Sequence, residues 1–129
     1  MSEDRAAIEA AVQLYLDGLY EGDTDKLAAT FHESSHLTYE NGGKVAIMSR
    51  DEWFAMVRGR ASPKAQGLSR HDEILLIDQS SPTTALVKVK CAIPPRFFTD
   101  YLSFLKVDGQ WRVAEKVFSV RTDEGARAA

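Results

Sequence analysis

At 129 residues, with 44% hydrophobic and 27% charged side chains, the chain reads as one globular domain over 1–129, large enough to bury a real core. A formal charge of -3, with no Lys/Arg-rich run, excludes the electrostatic footprint of a nucleic-acid binder. Cys91 is the single cysteine, which excludes a disulfide framework and a thiolate zinc site.

The N-terminus, MSEDRAAIEA, lacks the apolar segment of a signal peptide, and no apolar run reaches bilayer length. A cytoplasmic protein is expected. Residues 3 to 20 place Ile8, Val12, Tyr15, Leu16 and Leu19 at helical spacing. Ser2 can cap this helix, Glu3 and Asp4 suit its positive end, and Gly22 stops it. Asp23 then caps a second, shorter helix with Leu27, Ala28 and Phe31 on its apolar side.

Residues 32 to 36, HESSH, match the H-E-x-x-H signature of zinc proteases. That motif works only on a helix, where residues four apart share a face and both imidazoles reach one metal. Here the helical pattern ends at Phe31, Ser34-Ser35 breaks it, and LTYE at 37–40 reads as a strand entering the Asn41-Gly42-Gly43 turn. No third ligand follows at a suitable distance. The match is a coincidence on this reading, and neither a metal nor another cofactor is expected. His32 is expected to cap the second helix at its C-terminal end, and His71, with polar neighbours, to be exposed.

Ser49 to Glu52 forms an S-x-x-E capping box for a third helix, with Met48 packing on Trp53. Trp53, Phe54 and Val57 make its buried side, and Gly59 to Pro63 ends it. Strands are predicted over 68–79, 84–93, 97–107 and 110–121. Residues 84–93 alternate apolar against mixed, and Asp108-Gly109 marks a hairpin. The tail from Thr122 reads as frayed. The expected layout is α+β: three helices packed on a strongly curved antiparallel sheet, a half-barrel cone with an internal pocket.

This layout resembles the nuclear-transport-factor-2-like superfamily, an α+β cone of the cystatin-like type. The stretches that carry the resemblance are YLDGLYEGDTDKLAATFH, LTYE, SRDEWF and FTDYLSFLKVDGQWRVAEKVF. Within the superfamily the ending DYLSFLKVDGQWRVAEK is most similar to the putative lumazine-binding group and its SnoaL-like relatives. The resemblance implies a small-molecule pocket and a homodimer paired through the sheet. It also permits an enzyme of the polyketide cyclase, dehydratase or isomerase type, or a dimeric association module with a vestigial pocket. Ketosteroid isomerases of the superfamily have a helix-one tyrosine that falls on Tyr15. Their base aspartate falls near Tyr39 and their protonated aspartate near Ser103. With no carboxylate at either place, no base for proton abstraction is evident and no catalytic residue can be assigned.

Strand parity divides the last two strands into faces. Arg112, Ala114, Lys116, Phe118 and Val120 share one side, and the resemblance implies that Lys116 and Phe118 face inward. The same argument turns Tyr101, Ser103 and Leu105 inward, and Asp100, Leu102 and Phe104 outward. The candidate ligand-binding set is therefore Tyr15, Leu19, Tyr39, Trp53, Phe54, Val57, Tyr101, Ser103, Lys116 and Phe118, an aromatic lining with few polar groups.

Overall fold

The computed structural model describes residues 2–123, apart from the Ser2 side chain. Helix α1 runs Ser2–Glu21 and ends where Gly22 adopts φ +69°, a conformation a side chain would disfavour. The expected Ser2 cap lies outside the described side chains. Helix α2, Thr24–Thr30, starts at Asp23, whose carboxylate accepts the Asp25 and Lys26 amides. Gly18 sits at the crossing of these helices: a Cβ there would stand 2.9 Å from Leu27 Cδ2.

Strand β1, Phe31–Asn41, turns through Asn41–Lys44 into β2, Lys44–Ser49. The sequence pattern gives β1 only from Leu37 and does not mark KVAIMS as β2. Helix α3, Arg50–Gly59, carries the complete Ser49/Glu52 capping box. Strands β3 (Glu73–Ser81), β4 (Thr84–Ile93), β5 (Arg96–Val107) and β6 (Gln110–Thr122) then form a meander. Residues 68–72, predicted as strand, instead precede β3. There the Leu68 amide bonds back to the Pro63 carbonyl, and Arg70 pairs with Asp17 and Asp72. Thr122 still pairs with Arg96; residues 124–129 of the tail lie outside the described residues.

The sheet order is β2-β1-β6-β5-β4-β3. It is curved and unclosed, and it is mixed rather than wholly antiparallel, because β1 and β6 run parallel. One registered row crosses all six strands on the concave side: Met48, Leu37, Lys116, Leu102, Val87 and Ile77. The adjacent outer row is Ile47, Thr38, Val117, Tyr101, Lys88 and Leu76. The helices cover the concave side with Ile8, Val12, Tyr15, Leu16, Leu19, Leu27, Trp53, Phe54 and Val57, all buried.

Register corrects two of the parity expectations. On β5, Asp100, Leu102 and Phe104 are fully buried, whereas Tyr101 and Leu105 are each 42% exposed and Ser103 is exposed too. The inward and outward sets are therefore the reverse of the expectation. Both sets contain apolar residues, and the aspartate biased the choice towards solvent. On β6, Phe104 pairs with Val113 but Ser103 pairs with Glu115, so Ala114 is an extra residue, a β-bulge. Before it Trp111 and Val113 point inward; after it Lys116 and Phe118 do. Arg112 and Lys116 therefore do not share a face.

Candidate functional site: a buried Lys–Tyr–Asp chain below an apolar cavity

HESSH lies wholly on β1. An extended strand puts residues four apart about 13 Å from one another, and here the register also breaks between Phe31 and His36. His32 Nδ1 lies 2.7 Å from Ser34 Oγ, so His32 does not cap α2; Phe31 occupies that position and its amide bonds to the Leu27 carbonyl. His36 instead reaches Glu115 at 3.3 Å. His71 is exposed, with its ring edge-on to Phe97.

The concave face holds a cavity of about 210 Å³. Leu16, Leu19, Leu37, Met48, Ile93 and Phe98 give its walls their apolar character, with Tyr39, Trp53 and Phe118 supplying aromatic surface. Tyr39 and Phe118 stack at 5.0 Å between centroids, which extends that surface across β1 and β6. A flat apolar molecule would be well solvated by such walls.

Lys116 reaches this cavity and is only 5% exposed. Its Nζ donates to the Tyr15 hydroxyl at 2.8 Å. The Tyr15 hydroxyl in turn donates to Asp100 Oδ2 at 2.5 Å, and Asp100 Oδ2 lies 3.8 Å from the ammonium. The Cys91 thiol also donates to that oxygen, at 3.5 Å. Asp100 Oδ1 is buried, with no hydrogen-bond partner among the described residues. The ammonium further sits 4.8 Å from the Trp53 ring centroid, 5.0 Å from that of Phe118 and 5.2 Å from that of Tyr15.

The energetics explain the arrangement. A lone ammonium or carboxylate in this environment would cost several kcal/mol in lost hydration. Pairing, charge-assisted hydrogen bonding and three ring faces offset that cost for Lys116. Burial, and after it the Asp100 carboxylate, hold the Tyr15 hydroxyl well above the usual phenol range. Tyr15 is thereby kept as a proton donor to Asp100 and an acceptor from Lys116. Burial and then Asp100 likewise push the Cys91 thiol well up. Cys91 is a thiol, not a nucleophile, in the folded chain.

A second cation, Arg60, lines the cavity just beyond the end of α3. Burial, and then the nearby Arg96, pull its guanidinium down from its ordinary value. Among the described residues it makes no ion pair or hydrogen bond. A guanidinium held half-buried without a partner is matched by an anionic or carbonyl oxygen.

Of the sequence candidates, the structure brings Leu19, Tyr39, Trp53, Lys116 and Phe118 to the cavity. Tyr15 lies behind Lys116 as its hydrogen-bond partner. Phe54 and Val57 are buried elsewhere on α3, Phe54 beneath the Arg50 guanidinium at 5.1 Å. Tyr101 and Ser103 stand on the outer face and are removed from the set. Asp100 and Arg60 were missed. For Asp100 the available signal was its position opposite Phe118 on an inward row, which needed the Ala114 bulge to be read. A carboxylate does stand beside the helix-one tyrosine, three residues before the position the isomerase comparison indicates.

Helices closing one side of a curved, unclosed sheet, with polar groups gathered under an apolar cavity, define a nuclear-transport-factor-2-like α+β cone. The chain belongs to the family described as Putative lumazine-binding, whose model matches residues 3–119. A nuclear-transport-factor-2-like protein of unknown function from Silicibacter pomeroyi DSS-3 superposes with a TM-score of 0.81. It is 26% identical, over 93% of this chain and 98% of its own. Another such protein, from Shewanella baltica OS155, gives a TM-score of 0.84 at 20% identity, covering 95% of this chain and 97% of its own. Aldolase FrzH of Cladobotryum sp. is 24% identical over 119 residues, 91% of each chain.

Proposed function

We propose that this chain is a small-molecule-binding domain whose cavity takes a planar, heteroaromatic ligand bearing an oxygen acceptor. The observation that carries the reading is Lys116: a 5% exposed ammonium at an apolar cavity, with Tyr15 as its one hydrogen-bond partner among the described residues. Its remaining donors suit a ring carbonyl or anionic oxygen, and Arg60 suits a second one. Leu19, Tyr39, Trp53 and Phe118 would flank the ring plane. The family's description is consistent with such a ligand, and the reading includes no cofactor. The proposal puts this pocket in the cytoplasm, where a lone thiol such as Cys91 stays reduced. Two measurements test it: native mass spectrometry of the purified chain for a co-purified molecule, and a fluorescence titration with lumazine. Saturable one-to-one binding that weakens in Lys116→Gln supports the reading; no bound molecule in either experiment counts against it.

A second reading, an enzyme of the cyclase, dehydratase or isomerase type, is favoured by the Tyr15–Asp100 contact. A phenol and a carboxylate joined below a substrate-sized cavity are the groups that proton transfer needs. The aldolase among its relatives is in keeping with that chemistry.

The proposal extends to a homodimer with twofold symmetry, paired through the outer sheet face. Ile47, Leu76, Tyr101 and Val117 stand in one registered row, 42–64% exposed. Leu105 and Val107 add to the same apolar content, more than a free surface usually gathers in one place. Light scattering should give twice the chain mass, falling to one chain in Val117→Asp. A single-chain mass for the unaltered protein removes the dimer and, with it, the association-module alternative.

A further inference from the structure

We propose that Lys116 is a carbonyl-capturing amine that forms a Schiff base with aldehydes or ketones of flat, apolar shape. The inference rests on the cavity reading above and goes beyond it, from holding an oxygen acceptor to bonding with its carbon. Three observations converge. Lys116 Nζ borders the cavity, so a carbonyl carbon can approach it. Its hydrogen bond to Tyr15, and that of Tyr15 to Asp100, form an unbroken path for a proton, 2.8 Å and then 2.5 Å long. Asp100 Oδ1 is a buried acceptor without a partner among the described residues, so the carboxylate has capacity to spare.

The step balances within the groups present. Lys116 passes a proton to Tyr15 as Tyr15 passes its own to Asp100, which leaves an uncharged amine facing the cavity. The nitrogen lone pair then forms the C–N bond while the carbonyl π pair moves to oxygen. That oxygen takes up two protons in all, both handed over by the nitrogen, one its own and one returned to it along Asp100 and Tyr15, and leaves as water. The product is an iminium whose positive charge replaces that of the ammonium. No oxidant or reductant is needed. Asp100 stays anionic beside the iminium and holds it as it held Lys116, so capture leaves no buried charge unpaired. Burial among Trp53, Phe118 and Tyr15 keeps bulk water from the adduct, and lysines in desolvated aromatic pockets are the type used for this chemistry.

Tyr15 acts here as a positioning and relay residue, since it touches Lys116 rather than the substrate. An iminium would also acidify the neighbouring C–H bond and so prepare carbon–carbon bond formation or cleavage. Arg60 at the same cavity favours carbonyl substrates that carry a further anionic or keto oxygen.

The full chain is incubated with 2-naphthaldehyde and cyanoborohydride, which traps an iminium by hydride addition at carbon, and adducts are mapped by peptide mass spectrometry. In parallel, 2-naphthylmethanol, of the same shape but unable to condense, is titrated by tryptophan fluorescence. Expected are one adduct per chain on Lys116, none there in Lys116→Arg, and capture roughly 100-fold slower in Tyr15→Phe. Circular dichroism of both variants separates these losses from unfolding. Binding of the alcohol without an adduct at Lys116, or adducts spread evenly over surface lysines, overturns the inference and leaves the cavity reading standing. No saturable binding of the alcohol overturns both.

Discussion

Lys116 and Tyr15, 101 positions apart in the chain, meet in a 2.8 Å hydrogen bond that ties the last strand to the first helix. Neither side chain could be buried alone. The lysine needs an acceptor and a counter-charge, the tyrosine needs both a donor and an acceptor, and Asp100 completes the requirement. The contact is thus both a structural fastening and the support of one of the cavity's polar groups.

One consequence is an asymmetry between single and double substitutions. Lys116→Met alone leaves Asp100 as a buried charge without its cation, and should cost about 3–5 kcal/mol of folding stability. Lys116→Met combined with Asp100→Leu removes both charges and should cost less than the single change, because only packing and the Tyr15 partner are lost. Urea unfolding of the native chain, Lys116→Met, Asp100→Leu and the double variant decides this. A double loss equal to the sum of the two single losses would show that the two charges are not energetically coupled.

Asp4 sets a pH-dependent term at the other end of α1. Its carboxylate accepts from Gln79 at 3.0 Å, Lys106 at 3.2 Å and Trp111 at 3.3 Å, fastening the helix start to β3, β5 and β6. The Gln79 bond first, and then Lys106, hold its pKa below the usual value. A depressed folded pKa means that the unfolded chain binds the proton more tightly, so this contribution is complete above the unfolded value. It fades as pH falls through the folded one. Melting temperatures of the native chain and Asp4→Asn should differ at neutral pH and converge below about pH 4. A gap that persists unchanged to lower pH contradicts the assignment.

Cys91 should resist modification. With its thiol 6% exposed and pushed well up by burial and Asp100, it should react with a disulfide reagent only after denaturant is added. Rapid stoichiometric labelling of the folded chain at neutral pH would mean that the reagent reaches the thiol through the cavity it lines, or that β4 opens locally.

Phe104 distinguishes the two faces of β5. It is fully buried, so Phe104→Ala should lower stability by about 3–5 kcal/mol rather than merely separate subunits. Chemical denaturation monitored by circular dichroism measures it; a loss below about 1 kcal/mol would place the ring outside the core.

Much of the fold was written locally in the sequence. The Ser49/Glu52 box, the alternation from Ala85 to Cys91 and the Asp23 cap each involve residues a few positions apart, and each forms as the spacing indicates. Asp108 and Gly109 both take positive φ, as a tight hairpin demands. The start of β1, all of β2 and the loop at 68–72 were less legible. Sheet pairing across the chain, rather than local preference, decides those segments. The site was legible only in part. Leu19, Trp53 and Phe118 carry their apolar character wherever they sit, but Asp100 is charged and reads as a surface residue. Its burial depends on Tyr15 and Lys116, 85 and 16 positions away, and no local pattern encodes such a pairing.

The extra residue at Ala114 decides which of the later β6 residues face the cone. Paired without a bulge but with Ala114 kept, β6 would set Glu115 opposite Leu102, in the inward place now held by Lys116, and the ammonium would turn to solvent; deleting Ala114 only removes the bulge and leaves Lys116 inward. The sign of the charge offered to the cavity is thus set by one backbone irregularity rather than by the choice of side chains alone.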